Sequence, residues 1–195
     1  MQRLLLISAL VALAFAHSLT FSDVNRNYTV TEVIEYRRSI REYLDQPVSE
    51  DVFNRVLHAG LRAPSAMGRQ EIMFTVSRNK KLNKAISDII TEDPSSNIFY
   101  DAPIVVYVHS QRLVPGFSDL DGGVAVQNML LQAKFEGLDS CTIGYLVSND
   151  KHPIIKEKLS IPQDHKLVVG VIFGYGAYDA NPGPHILPGR VRKIF

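Results

Sequence analysis

The sequence predicts an α+β domain in which helices pack on a mainly antiparallel sheet. Three observations carry this. Ile104–Val108 is a continuous β-branched and aromatic run, the mark of a buried strand, and Leu167–Phe173 is the core of the strongest strand. Asp119–Phe135 is a long helical stretch whose stripe of Val124, Ala125, Met129, Leu130 and Ala133 ends at Gly137. Helices and strands otherwise follow one another without the regular βαβ alternation of a doubly wound sheet.

The chain has 195 residues, 46% of them hydrophobic, which suits one domain with a sizeable core. Twenty-one Lys and Arg against 20 Asp and Glu leave no global basic field. No basic and aromatic residues interleave, so nucleic acid is not expected as a partner and any anion site must be local. Cys141 is the only cysteine, so there is no internal disulfide and no cysteine-based metal site. The His and carboxylate spacings contain no HExxH-like pattern, and no metal is expected.

From the N-terminus, Arg3 precedes an almost unbroken apolar run, Leu4–Ala16, which closes on Ala14-Phe15-Ala16. The run is short for a membrane span and right for a secretory signal, expected over residues 1–18, with Asn27-Tyr28-Thr29 as a glycosylation sequon beyond it. A secreted or secretory-pathway protein without stable membrane association after cleavage is therefore expected. An uncleaved anchor or an organelle presequence is the alternative. Residues 19–195 then form one domain with a C-terminal arm from about residue 176.

Thr29 and Glu32 make a capping box, and Val30, Val33 and Ile34 follow at helical spacing. After a break at Asp45–Val48, Ser49 opens a second helix, with Val52, Phe53, Val56, Leu57, Gly60 and Leu61 on one face and Pro64 beyond its end. Ile72–Ser77 alternates as a strand, and Asn79 turns the chain into a helix near Leu82–Thr91. Thr91–Tyr100 and Gln111–Ser118 read as surface loops that form at most a small lid. Asp139–Ile143 is a short strand, Ile154–Leu159 a short helix, and Lys166–Tyr175 the strongest strand.

Four stretches carry chemistry. Arg37-Arg38-Ser39-Ile40-Arg41 gathers three guanidinium groups and a hydroxyl. An extended chain aims Arg37, Ser39 and Arg41 one way, and a helix still pairs Arg37 with Arg41. Either geometry suits a small anion, because the planar guanidinium fork donates two parallel hydrogen bonds to phosphate oxygens. The others are Arg62–Gln70, Asp139–Gly144 and the basic tail with Arg190 and Arg192. No GxGxxG is present, so no tightly held dinucleotide is expected. Cys141 reads as an apolar filler, Asn128 as a buried hydrogen-bonding residue with an interface contact as the alternative, and Asp119 and Asp121 as helix N-terminal charges.

In order along residues 31–192, these stretches resemble the motifs of the nitroreductase family of FMN-dependent oxidoreductases. Arg37–Arg41 is similar to its R-R-S-x-R opening. Ala63-Pro64-Ser65-Ala66-Met67-Gly68-Arg69-Gln70-Glu71-Ile72 is similar to A-P-S-[AS]-x-N-x-Q-P-W. Gln127–Ala133 with Gly137–Gly144 matches Q-N-[ML]-x-L-x-A and G-L-x-[ST]-C-x-x-G, and Val171–Tyr175 matches V-x-x-G-Y.

The resemblance implies a nitroreductase-like fold in a domain-exchanged homodimer with FMN at the subunit interface. It implies that Arg37, Ser39 and Arg41, with Arg38 beside them, hold the FMN phosphate and ribityl chain. Pro64, Ser65, Ala66 and Gln70 would come from the other subunit, and Thr142, Ile143 and Gly144 would lie along the isoalloxazine. Arg190 or Arg192 would close on the phosphate. The implied activity is ping-pong transfer of hydride from NAD(P)H through FMN to a nitroaromatic, a quinone or a similar acceptor, with no protein side chain as the reacting group. A noncatalytic flavin carrier or sensor, and a reductive dehalogenase on the same fold, are the alternatives. Gly68 stands where the family has Asn, and Glu71-Ile72 where it has Pro-Trp, which bears on redox tuning and acceptor preference more than on FMN binding.

Overall fold

The computed structural model describes residues 28–147, 151–180, 189–192 and 194. The expected signal segment, Asn27 of the sequon and most of the C-terminal arm lie outside the described residues.

The capping box forms as its spacing predicts. Thr29 Oγ1 accepts from the Glu32 N–H, Glu32 accepts from the Thr29 N–H at 2.7 Å, and helix α1 runs Val30–Tyr36. Ser49 accepts from the Val52 N–H to open α2, Glu50–Leu61. Strand β1 is Ile72–Ser77, and Asn79 caps α3, Lys80–Thr91. Strand β2 is Ile104–Ser110 and α4 is Ser118–Phe135. Strand β3 is Asp139–Ile143, α5 is His152–Lys158 and β4 is Lys166–Gly174. Among the described residues no helix is long and apolar enough to cross a membrane.

The four strands lie in the order β1-β2-β4-β3, and every neighbouring pair is antiparallel. The two most apolar runs, β2 and β4, take the centre, while β1 and β3 are the edges. Helices cover both faces. Val106, Val108, Val169 and Val171 pack with Phe53 and Val56 of α2 and Met129 of α4. Tyr107, Leu167 and Ile172 pack on the other face with Ile86 of α3 and Ile155 of α5. Gly122 lets α4 approach β4 closely, since a Cβ there would stand 2.7 Å from Val168 Cγ1. Gly137, at φ +78°, turns the chain out of α4, and the Leu138 N–H returns to the Ala133 carbonyl at 2.8 Å.

One expectation is corrected. Thr91–Tyr100 is not wholly a surface loop, because Ile98 and Phe99 are buried in the core beneath α3. The Ile98 N–H donates to the buried Ser87 Oγ at 3.0 Å, and Phe99 stacks edge-on against Tyr107. Two apolar residues inside a polar stretch are enough to anchor it, so it is not free to act as a lid.

A buried polar pair ties β2 to the start of β4. His109 Nδ1 and His165 Nδ1 lie 2.9 Å apart at a register shift after Val108, and Thr75 Oγ1 lies 3.1 Å from His109 Nε2. Lys156 Nζ donates to the His165 carbonyl. Burial, and then the neighbouring His165, lower the His109 pKa to about 4. The unfolded chain takes up a proton near pH 6.5 that folded His109 refuses until about pH 4. Its stabilising contribution is therefore complete above that window and is lost as pH falls through it. Melting temperature measured against pH should decline across the window, and His109→Asn, which does not titrate, should flatten that decline.

Candidate functional site

The arginine cluster is extended, the first of its two possible geometries. Arg37 caps α1 at φ −61° and ψ 130°, and the chain then runs along the outer edge of β3. The Ile40 N–H donates to the Ser140 carbonyl at 3.0 Å, and Leu44 N–H donates to the Tyr175 carbonyl at 2.8 Å. Ile40 is 1% exposed and drives this segment into the core, so its neighbours Ser39 and Arg41 face outward. Tyr43 donates its hydroxyl to the Ile40 carbonyl at 2.7 Å. Burial, with the nearby Cys141 and Asp139, pushes the Tyr43 pKa up and keeps that donor protonated.

Among the described residues, neither Arg37 nor Arg41 has a carboxylate partner. Arg41 reaches only the Ser39 carbonyl, at 3.4 Å. Arg38 is different. Its Nη1 turns back to the carbonyls of Glu35, at 2.5 Å, and Arg37, at 2.7 Å, across the C-terminus of α1. Its Nε–H is buried without an acceptor. Two guanidiniums without acids, a serine hydroxyl and an unsatisfied buried donor make a set that fits a phosphate.

Strand β3 adds a flat polar edge beside that set. Cys141 and Ile143 point into the core, as a filler role for Cys141 requires, while Thr142 and Gly144 are exposed. Beyond Ser140, the outer edge of β3 has no backbone partner among the described residues. An open row of N–H and C=O groups can pair with the polar rim of a flat heterocycle such as the FMN ring.

The Pro64 stretch is held by side-chain acceptors. After α2, Ala66–Gly68 forms a single 3-10 turn, and the Ala66 N–H donates to Asp121 Oδ2 at 2.9 Å. The Gln70 N–H donates to Ser65 Oγ at 2.8 Å. Met67, Gly68 and Gln70 are left-handed, at φ +54°, +67° and +50°. Pro64, Ser65, Gln70 and Asp121 line a pocket of about 250 Å³ with Leu61 and Ile72. Asp121 thus does more than charge a helix end, whereas Asp119 pairs on the surface with Lys166 at 2.6 Å.

Glu71 is the residue the sequence did not reveal. It is 0% exposed, accepts from Ser110 Oγ at 3.0 Å and the Val114 N–H at 2.9 Å, and so pins the 111–118 loop. Burial pushes its pKa up, but hydrogen bonds from Val114, Ser110, Ser118 and Leu113 prevail and hold it below the ordinary carboxylate value. No sequence pattern announces it, because its partners lie some forty residues away.

Arg37–Arg41 and Thr142–Gly144 are therefore adjacent in this chain, and Pro64–Gln70 is not beside them. The latter leads into β1, on the opposite sheet edge from β3. Ile72 lies opposite Ser110, and Ser140 lies opposite Phe173, which faces Ile104. Three strand spacings of about 4.8 Å and the offset from Ile104 to Ser110 at about 3.3 Å per residue separate the two places by on the order of 24 Å. Arg190 and Arg192 are exposed and make no ion pair among the described residues.

The model of the Nitroreductase family matches residues 34–97 and 91–175. The chain belongs to the nitroreductase family. A family relative from Methanothermobacter thermautotrophicus, provisionally named NADH dehydrogenase/NAD(P)H nitroreductase, is 34% identical over 168 residues, covering 83% of this chain and 85% of that protein. The nitrobenzene nitroreductase of Ectopseudomonas oleovorans is 23% identical over 197 residues, covering 75% of this chain and 86% of its own length. Among solved structures, an FMN-bound nitroreductase from Bacteroides fragilis superposes with a TM-score of 0.76 at 26% identity, over 87% of this chain and 100% of that one. The α+β architecture is that of FMN-bound nitroreductases.

Removing the Glu71 carboxylate leaves buried donors unpaired. Glu71→Ala should lower stability by about 1–3 kcal/mol in urea denaturation, with amide exchange at Val114 rising more than the average of the core strands.

Proposed function

We propose that this nitroreductase-family protein is an FMN-dependent oxidoreductase that passes hydride from NAD(P)H through FMN to a nitroaromatic, a quinone or a similar acceptor. The observation that carries this is the extended Arg37-Ser39-Arg41 segment, with two acid-free guanidiniums, fastened beside the open edge of β3. The names of its relatives support the chemistry, NAD(P)H nitroreductase and, at 23% identity in Bacillus subtilis, FMN reductase [NAD(P)H].

When bound, FMN supplies the two-electron chemistry, reduced by one substrate and reoxidised by the next in a ping-pong cycle. The residues of this chain bind and orient it. Arg37, Arg41 and the Ser39 hydroxyl suit the phosphate, and the rigid backbone beneath them fixes its position. Thr142 and the backbone at Ile143 and Gly144 suit the ring edge. Arg38 organises the segment from behind by capping α1. Arg190 or Arg192 takes the place of the late basic residue that closes on the phosphate.

A homodimer with FMN between the subunits accounts for the remaining distance. Pro64–Gln70 of one copy can approach Arg37–Gly144 of another, though not of its own chain. Helix α4 supports this with an outward face of Leu120, 60% exposed, and the exposed Gly123 and Gln127. The dehalogenase alternative needs a substrate-covering lid, and both loops considered for one are pinned, by Phe99 and by Glu71.

The test is flavin retention. The purified protein should show an FMN absorbance band that bleaches anaerobically with NADH or NADPH. A band that stays oxidised favours the carrier reading. Arg37→Ala with Arg41→Ala should weaken FMN binding by about 100-fold or more, two charge-assisted contacts being lost, with the far-UV spectrum unchanged. A double variant that keeps its flavin would falsify the phosphate assignment.

A further inference from the structure

Strand β3 ends in a turn that is fastened from the inside. Gly144–Leu146 is a single 3-10 turn, closed by the Val147 N–H on the Gly144 carbonyl at 2.9 Å. Leu146 anchors it. Its side chain is 1% exposed and packs in the core with Ile143 and Ile155. Ile143 lies opposite Gly170 of β4, and the missing side chain of Gly170 makes room for Leu146, since a Cβ there would stand 2.6 Å from Leu146 Cδ1. The Leu146 carbonyl lies 2.6 Å from Nε2 of His152, the first residue of α5. One residue thus ties the turn to the sheet and to the next helix.

With Leu146 turned inward, Tyr145 is left outside, 62% exposed. A side chain so little buried contributes little to the core, so packing does not account for an aromatic ring at this position. The ground beside it is bare. Gly144 has no heavy atom within 4 Å of the place its Cβ would take, and Thr142, two residues back along the strand, is exposed. The end of β3 therefore offers a polar edge at Thr142, an opening at Gly144 and a phenol ring on a fixed turn directly beyond it.

We propose that Tyr145 is a specificity residue, an aromatic wall against which a reactant with a flat conjugated ring is held over the flavin. This rests on the flavin oxidoreductase reading, in which Thr142, Ile143 and Gly144 lie along the isoalloxazine and Tyr145 is the next residue. Aromatic rings attract one another in offset-stacked or edge-on contact, and they do so without any hydrogen bond that would demand one particular substituent. Such a wall suits a site that receives two different reactants in turn. Both carry a flat ring, the nicotinamide of the donor and the ring of a nitroaromatic or quinone acceptor.

The test uses the FMN-loaded protein and anaerobic stopped-flow kinetics, with Tyr145→Ala and Tyr145→Phe. Reduction is followed with NADH, NADPH and dithionite, and reoxidation of the dithionite-reduced protein with nitrobenzene, 1,4-benzoquinone and ferricyanide. Dithionite and ferricyanide have no ring and serve as controls. FMN content and melting temperature should match the wild type in both variants. In Tyr145→Ala the second-order rate with a ring-bearing reactant should fall about fivefold or more, the loss of one aromatic contact, with the rates for dithionite and ferricyanide unchanged. Tyr145→Phe should keep the wild-type rates. A fall in reduction assigns the wall to the nicotinamide, and a fall in reoxidation assigns it to the acceptor. Unchanged rates with every ring-bearing reactant, equal falls with the ringless controls, a Phe variant as slow as the Ala variant, or loss of FMN overturns the proposal. A wild-type protein that holds FMN and is reduced by neither nucleotide overturns the oxidoreductase reading instead, and the reoxidation arm still tests Tyr145.

Discussion

The hydrogen bond from the Ile40 N–H to the Ser140 carbonyl, 3.0 Å long, is the contact on which the site depends. It joins the irregular chain between α1 and α2 to the edge of the sheet. Ile40 supplies the driving force, because burying its side chain fully contributes about 1.5–3 kcal/mol. Alternation along extended backbone does the rest. With Ile40 inward, Ser39 and Arg41 face out, and the guanidiniums need not be held by acids of their own. A single apolar residue among four polar ones therefore sets the direction of the positive charge.

The second constraint is the strand order. Placing the two most apolar strands at the centre leaves β1 and β3 as opposite edges, and the loops before and within them cannot meet in one chain. The same order that builds a two-sided core thus divides the functional residues into halves. Each half is rigid for its own reason. One is stitched to the sheet by backbone bonds, and the other is held by Asp121 and Glu71, two carboxylates with backbone N–H groups as partners. Symmetry offers the remedy, since a two-fold pair presents both halves twice.

Much of the fold was legible because its signals are local. Buried strands show as apolar runs, and helix starts show as Thr29, Ser49 and Asn79, each of which accepts the hydrogen bond its position calls for. What stayed hidden depends on residues far apart in sequence. Ile98 and Phe99 sit in a polar stretch, and only the packing of α3 shows that they are core. Glu71 looks like a surface glutamate until Ser110 and Val114 fold over it. The approach of His109 to His165 has the same character. For the site, the arginine cluster and the Thr142–Gly144 turn stood out as motifs, but residue types alone left open whether Arg37–Arg41 is extended or helical. Arg38 was not separable by sequence from its neighbours, although its guanidinium faces the end of α1.

The central claim is a flavin site shared between two chains, and mixing two damaged forms tests it most directly. One form carries Arg37→Ala and Arg41→Ala, and the other carries Ala66→Trp, each folded by circular dichroism and each free of flavin alone. After the subunits are dissociated and re-paired, the shared-site account predicts that the mixture regains bound FMN, at about one site in four from random pairing of a two-fold dimer. No recovery from a mixture shown to contain hybrid dimers would contradict it, as would a stable monomer that binds FMN by itself.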